Sequence, residues 1–180
     1  MCSRLTLLVL FGLLSMVSSA FAQSTQVGVE ADVLPYATGG WYASGWLGRD
    51  HIRVRVVASQ VELPDFTIKG DFHDGESRAY AGLVDYFPRA PLRGPWLGGG
   101  LEHWRNRIGH PAETVTGEYR NVMATLGGGW AFDVGRHIYI NPWAAGHVRV
   151  GGDTSARVGT RVYEPPAALA EASVKVGVRF

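Results

Sequence analysis

After Cys2 the chain contains no cysteine. Without further thiols it has no route to an internal disulfide, a thiolate nucleophile or a cysteine metal site. Beyond residue 22 it also lacks any run of about 20 apolar residues, so no helix is available to cross a bilayer. Entry into a membrane would require a closed sheet, the other fold that satisfies every backbone polar group internally. Excess charge is missing too. One of the 17 Lys and Arg and none of the 16 Asp and Glu fall in the first 22 residues, so the remainder is formally neutral. A polyanion-binding surface is not implied by that balance, and no nucleic-acid partner is expected. Lysine is scarce, two against fifteen arginines, and no linker, low-complexity tract or second domain interrupts the sequence.

What is present begins with Arg4 and an apolar stretch that ends Ser19-Ala20-Phe21-Ala22. A short apolar core followed by a small-x-small pattern predicts a cleaved signal peptide over 1–22, leaving Gln23 first and the chain exported. Cys2 lies in that segment without the upstream apolar residues of a lipoprotein box. Residues 23–180 then suit a single domain, and 24 glycines with abundant Trp, Tyr and Val favour an all-β fold.

Period-two alternation between turn signals predicts eight strands near 25–35, 39–48, 51–63, 75–88, 95–108, 117–133, 137–150 and 168–180. Val27, Val29 and Ala31 oppose Glu30 and Asp32; Ile52, Val54 and Val56 oppose Arg53 and Arg55; Tyr80, Val84 and Tyr86 oppose Asp85. Val122, Ala124, Leu126 and Trp130 oppose Asn121 and Thr125, and Ile138, Ile140, Ala144 and Val148 oppose Asn141, His147 and Arg149. In the last segment Ala172, Val174, Val176, Val178 and terminal Phe180 share a face against Glu171, Ser173, Lys175 and Arg179. Such strands separate an apolar exterior from a polar interior. Brief connections at 48–50, 89–94 and 135–136 alternate with longer ones at 64–74, 109–116 and 151–167; only 35–40 breaks the rule by being short. With the N-terminus in the periplasm, the brief turns fall on the periplasmic side and the longer loops outside. Trp41, Tyr42, Trp46, Tyr86, Phe87, Trp96, Trp104, Tyr119, Trp130, Phe132 and Tyr139 fall mostly near strand ends, as interfacial girdles do. Pro142, inside the seventh strand, deletes a ladder donor and predicts a bulge.

The chain thus resembles the small eight-stranded outer-membrane barrels, the architecture of the OmpA transmembrane domain, the OmpX/Ail group and the lipid A deacylase PagL. The resemblance rests on signal, strand pattern and Phe180, with no family-specific motif. It implies an all-β, eight-stranded antiparallel up-and-down transmembrane β-barrel, monomeric in the outer membrane among its lipids and lipopolysaccharide. It also implies that Val174, Val176, Val178 and Phe180 form the signal read by the barrel-assembly machinery.

Eight strands enclose a space that side chains just fill. The inward set Glu30, Asp32, Arg53, Arg55, Asp85, Glu102, Arg149, Glu171, Lys175 and Arg179 therefore predicts mutual pairing in a plugged lumen, and arginine forks suit such carboxylate pairs. Catalysis has only weak candidates. His73, Asp74 and Ser77 supply a base, a carboxylate and a hydroxyl within one loop, but residues so close in sequence seldom converge as a triad. The PagL-type His-x-Ser pair is missing, since Val148 and Arg149 follow His147. The histidines show no tight ligand spacing, so neither metal nor cofactor is expected. Gly98–Gly100 and Gly127–Gly129 lack the Gly-Lys-Ser/Thr of a phosphate loop and read as strand glycines. The expected role is a surface scaffold or binding protein, at most a narrow pore. The rivals are a lipid A-modifying acyl hydrolase or transferase and a soluble periplasmic lipocalin-like barrel with an apolar interior.

Overall fold

The computed structural model describes residues 25–89 and 91–180, so the signal segment 1–22 lies outside the described residues. Eight antiparallel strands close into a barrel: β1 (Gln26–Asp32), β2 (Trp41–Arg49), β3 (Ile52–Leu63), β4 (His73–Tyr86), β5 (Gly94–Gly109), β6 (Gly117–Asp133), β7 (Ile138–Gly152) and, after a small hairpin, β10 (Ala168–Arg179). Each pairs with its neighbour in the chain, and β10 closes on β1. The hairpin, β8 (Ala156–Val158) and β9 (Arg161–Tyr163), turns through Gly159-Thr160 inside the longest outer loop.

Alternation decides which side each residue takes. On β3, Ile52, Val54 and Val56 face out while Arg53 and Arg55 are buried inside. The exterior carries large apolar side chains in the open, with Leu126 73%, Leu97 66% and Val56 64% exposed. The interior holds Glu30, Asp32, Arg53, Arg55, Asp85 and Lys175. This polarity is the reverse of a soluble cup with an apolar lumen, which removes the lipocalin-like alternative.

Three details differ from the sequence reading. The bulge expected at Pro142 is absent there: the β6–β7 register is the same on both sides of it, although the ladder skips Trp130 and Ala131 opposite. The proline forgoes one donor without an inserted residue. The register shifts instead between Val122 and Met123, opposite Arg149 and Gly151, and a second shift lies between His73 and Glu76, where Asp74 has φ 54°. The aromatics also divide. Tyr86, Trp130 and Phe132 face out, whereas Trp46, Phe87, Trp96, Tyr119 and Tyr139 are buried inside. Gly28 and Gly177 permit this, because a Cβ at either would strike the Trp46 or Tyr139 ring.

The third difference is a helix, α1 (Val33–Thr38), where the pattern suggested a simple turn. Asp32 caps it by accepting from Leu34 N at 3.2 Å, Pro35 sits in the first turn where its missing donor is harmless, and Gly39 ends it at φ 95°. The helix cuts β1 short. β1 pairs with β10 only over Gly28–Asp32 against Lys175–Arg179, so Ala168–Val174 meets β7 on one side and has α1 packed near the other.

Candidate functional site

The lumen is built in tiers. At the end of the brief turns, Phe87 and Leu92 from the 87–93 turn fold inward beneath Trp46, Trp96 and Tyr139 to form an apolar floor. Directly above sits a charge quartet. Arg53 Nε lies 2.8 Å from Asp85 Oδ2 and its Nη1 3.1 Å from Glu30 Oε1; Arg55 Nη2 lies 3.1 Å from Asp85 Oδ1 and its Nη1 3.6 Å from Glu30 Oε2. Tyr139 Oη, Asn141 Nδ2 and Ser44 Oγ complete Glu30 at 2.9, 3.0 and 3.3 Å. Trp46 Nε1 donates to Tyr139 Oη and Trp96 Nε1 to Asn141 Oδ1, each at 2.8 Å. Among the described residues Arg53 Nη2 has no hydrogen-bond acceptor, but the guanidinium lies 5.1–5.6 Å from the Trp46, Phe87 and Trp96 ring centroids. An aromatic box supplies that edge with π-faces in place of an oxygen.

One tier outward, Asp32 joins barrel to helix. It accepts from Trp143 Nε1 at 2.8 Å and from the Ser173 hydroxyl, caps α1, and lies 3.7 Å from Lys175 Nζ, which stands 3.2 Å from the Trp143 ring centroid. Further out, Glu102 accepts from Trp104 Nε1 at 2.6 Å and Thr125 Oγ1 at 2.8 Å, and His147 lies 3.5 Å from Glu102 and 3.2 Å from Glu171. Glu171 is 45% exposed although it shares the lumen parity, because it stands where β10 has lost β1.

The loops cap the opposite end with Ile68, Ile108, Tyr119, Val158 and Tyr163, against which Phe72 packs. Phe72 bridges His110 and Tyr163 at ring-centroid distances of 5.1 and 5.0 Å, and burial raises the Tyr163 phenol pKa. Glu113 accepts from Thr160 Oγ1 at 2.7 Å and Thr160 N at 3.1 Å, tying two loops together. Those two bonds hold the Glu113 carboxyl below its ordinary pKa.

Of the residues singled out from sequence, Glu30, Asp32, Arg53, Arg55, Asp85 and Lys175 are brought together. Glu102 and Glu171 meet through His147, a residue the network reading did not include. Arg179 stands apart at the floor, 2.7 Å from Asp133 and stacked on Tyr139 at 4.6 Å. Among the described residues Arg149 belongs to no carboxylate pair: it donates to the carbonyls of Asp153 and Pro165 at the outer rim, because the bulge beside it carries the strand end toward the loop. His73 and Asp74 touch, but Ser77 points into the lumen at 4% exposure while the Asp74 side chain is 79% exposed. The bulge between them turns the hydroxyl away, so no triad forms. Val174 and Val176 face outward, and Phe180 is exposed at the end of the chain. Ser44, Trp143 and Tyr139 were missed from the network, although Trp143 and Tyr139 share their strand's parity with Asn141; Ser44 meets Glu30 only through the β1–β2 register. Among the described residues, no group of three or more His, Asp or Glu is arranged to hold a metal.

No protein-family model matches the chain, and no curated protein matches it. Solved structures do. The N-terminal β-barrel domain of Pseudomonas aeruginosa OprF aligns with a TM-score of 0.58 at 15% identity, covering 88% of this chain and 99% of that one. A major outer membrane protein from Thermus thermophilus aligns at 0.52 and 12% identity, covering 87% and 98%. At these identities the likeness is one of fold: the chain has the eight-stranded barrel architecture of outer-membrane proteins.

Proposed function

We propose that this chain is an integral outer-membrane barrel whose lumen is closed to ion flow and whose outer loops act as a surface scaffold or binding platform. The observation that carries the reading is the double seal: an aromatic floor, an apolar cap, and buried ion pairs between them. Ion flow through such a lumen would require breaking pairs that have no bulk water to replace them. The exposed apolar band supports membrane residence, since large apolar patches on a soluble monomer are rare. Outer-membrane lipid is then the surrounding partner. The outward Val174, Val176 and Val178 with exposed Phe180 are the segment offered to the assembly machinery. The tie from Glu113 to Thr160 and the packing of Phe72 on Tyr163 hold the loops in one arrangement, as a binding surface requires.

Two measurements test this. Outer membranes from expressing cells should hold a band whose migration on SDS gels shifts on boiling. The same protein in planar bilayers should raise no discrete conductance steps. Release by osmotic shock with no gel shift would defeat the membrane reading, and steady single-channel steps would defeat the closed lumen.

A further inference from the structure

We infer that Arg78, Arg105 and Arg120 form a ladder on the outside of the barrel that binds the phosphorylated headgroups of outer-leaflet lipid. The inference rests on the outer-membrane reading above and names the lipid chemistry that this face takes. Register places the three side by side: Arg78 on β4 is directly opposite Arg105 on β5, which is directly opposite Arg120 on β6. All three are exposed and share the outward parity of the apolar band. Like charges at directly opposed positions repel, so the row is unfavourable unless an anion joins it.

Local carboxylates supply that anion to Arg78 alone, and Glu118, exposed on the same face opposite Arg107 and two residues before Arg120, makes no ion pair with the row among the described residues. Glu76 receives Arg78 Nε at 2.9 Å, but its other oxygen already receives Arg107 Nη2 at 2.7 Å. Asp153, beside Arg120, gives its carboxylate to the main-chain N of that residue at 2.8 Å. Among the described residues, the side chains of Arg105 and Arg120 have no hydrogen-bond or ion-pair partner. Guanidinium forks present paired donors that match phosphate oxygens. Neither lysine of the chain lies in the row.

Depth selects a lipid over a free ion. One layer inward on the same face come Tyr80, His103 and Val122, then Leu101 and Ala124, so the row stands where the apolar band stops. A phosphate held there has apolar wall beneath it for the attached acyl chains. Strands spaced about 4.8 Å apart and tilted about 40° make the row climb roughly 3 Å per strand, or about 6 Å in all. That matches the roughly 5–7 Å of headgroup on one side of a bilayer.

The test uses the full mature barrel in detergent micelles, with a bisphosphorylated glycolipid (lipid A) as probe, diacylglycerol, which carries no phosphate, as the neutral comparison, and retention read by native mass spectrometry. The wild type should retain the phosphorylated lipid in preference to the neutral one. Arg105→Gln/Arg120→Gln should lose at least tenfold in retention while keeping its heat-dependent gel shift. Arg105→Lys/Arg120→Lys, which keeps charge but loses the forks, should fall between. Arg136→Gln, in the turn at the opposite end, should bind as wild type. Equal retention by wild type and the double Gln variant, both heat-shifting, would overturn the ladder alone. Displacement by inorganic phosphate at matched phosphate concentration would overturn the lipid assignment. A wild type with no heat shift, recovered without detergent, would overturn the barrel reading and the ladder with it.

Discussion

Arg53→Met removes one of two cations from a quartet that is neutral as a set. The side chain is 2% exposed, contacts Asp85 at 2.8 Å and Glu30 at 3.1 Å, and faces three rings. Its loss leaves two buried carboxylates sharing Arg55, and breaking a buried pair by deleting one partner destabilises by about 3–5 kcal/mol. Loss of the aromatic contacts adds about 1–2 kcal/mol, partly offset because methionine refills apolar volume beside the same rings. The expected net loss is about 4 kcal/mol. With a urea slope of about 2 kcal/mol per molar, the midpoint in lipid vesicles should drop by roughly 2 M. Tryptophan fluorescence reads it directly, since Trp46 and Trp96 line the box. Glu30→Gln in the same chain restores neutrality and keeps an acceptor for Tyr139 and Asn141. The double variant should therefore be more stable than the sum of the single losses allows, by about 2 kcal/mol or more. A midpoint within 0.5 M of wild type, by the same slope about 1 kcal/mol, or strictly additive losses, would refute the idea that mutual pairing is what these charges do.

Asp32→Ala strips the helix cap and leaves Lys175 buried beside Trp143 without its carboxylate, so a loss of about 3–5 kcal/mol is expected, with faster amide exchange in 168–174 where β10 lacks a strand partner. Gly177→Ala drives a methyl into the Tyr139 ring and should destabilise by about 1–3 kcal/mol, whereas Gly82→Ala, with open space outside, should be close to neutral by the same urea titration. The tie from Glu113 to Thr160 depends on a carboxylate held below its ordinary pKa of 4.5, so its contribution is full above that pKa and is lost as pH falls through the lower folded value. Protease nicking of 110–116 and 153–165 should therefore rise only as pH falls below 4.5, and Glu113→Gln should remove that pH dependence.

Alternation made the barrel legible because one residue of slip moves every side chain to the wrong face. Val27, Val29 and Ala31 against Glu30 and Asp32 leave no other register. The helix was also written locally, as Asp32, Pro35 and Gly39, but Val33 continues the strand alternation and hid it. Gly159-Thr160 between Arg157-Val158 and Arg161-Val162 carried a two-residue hairpin signal in what looked like plain loop. The pairing of charges was not written locally. Glu30 meets Tyr139 and Asn141 across more than a hundred residues because β10 closes on β1, and strand patterns do not specify how a barrel closes. Aromatics were misassigned for a related reason: period places Trp46 and Trp96 on the lumen parity, but only the opposed glycines reveal that the lumen has room for their rings.

Inside and outside therefore carry different work. In the lumen the charges of Arg53, Arg55 and Lys175 are matched by Glu30, Asp32 and Asp85, and among the described residues only Arg53 Nη2 and Arg55 Nε of the buried polar atoms in that set lack a hydrogen-bond partner. In the closed lumen we propose, a set that is neutral holds its charges for one another, so its substitutions should change stability and leave binding alone. The exterior row is the opposite case. Arg105 and Arg120 are exposed, unmatched and held side by side by backbone register, so replacing them removes repulsion from the isolated barrel. Their substitution should leave stability unchanged or slightly raised in neutral micelles and lower it relative to wild type only when phosphorylated lipid is present, since a ligand stabilises by mass action the state that binds it. That reversal of sign with lipid has no counterpart in a purely structural role for the arginines.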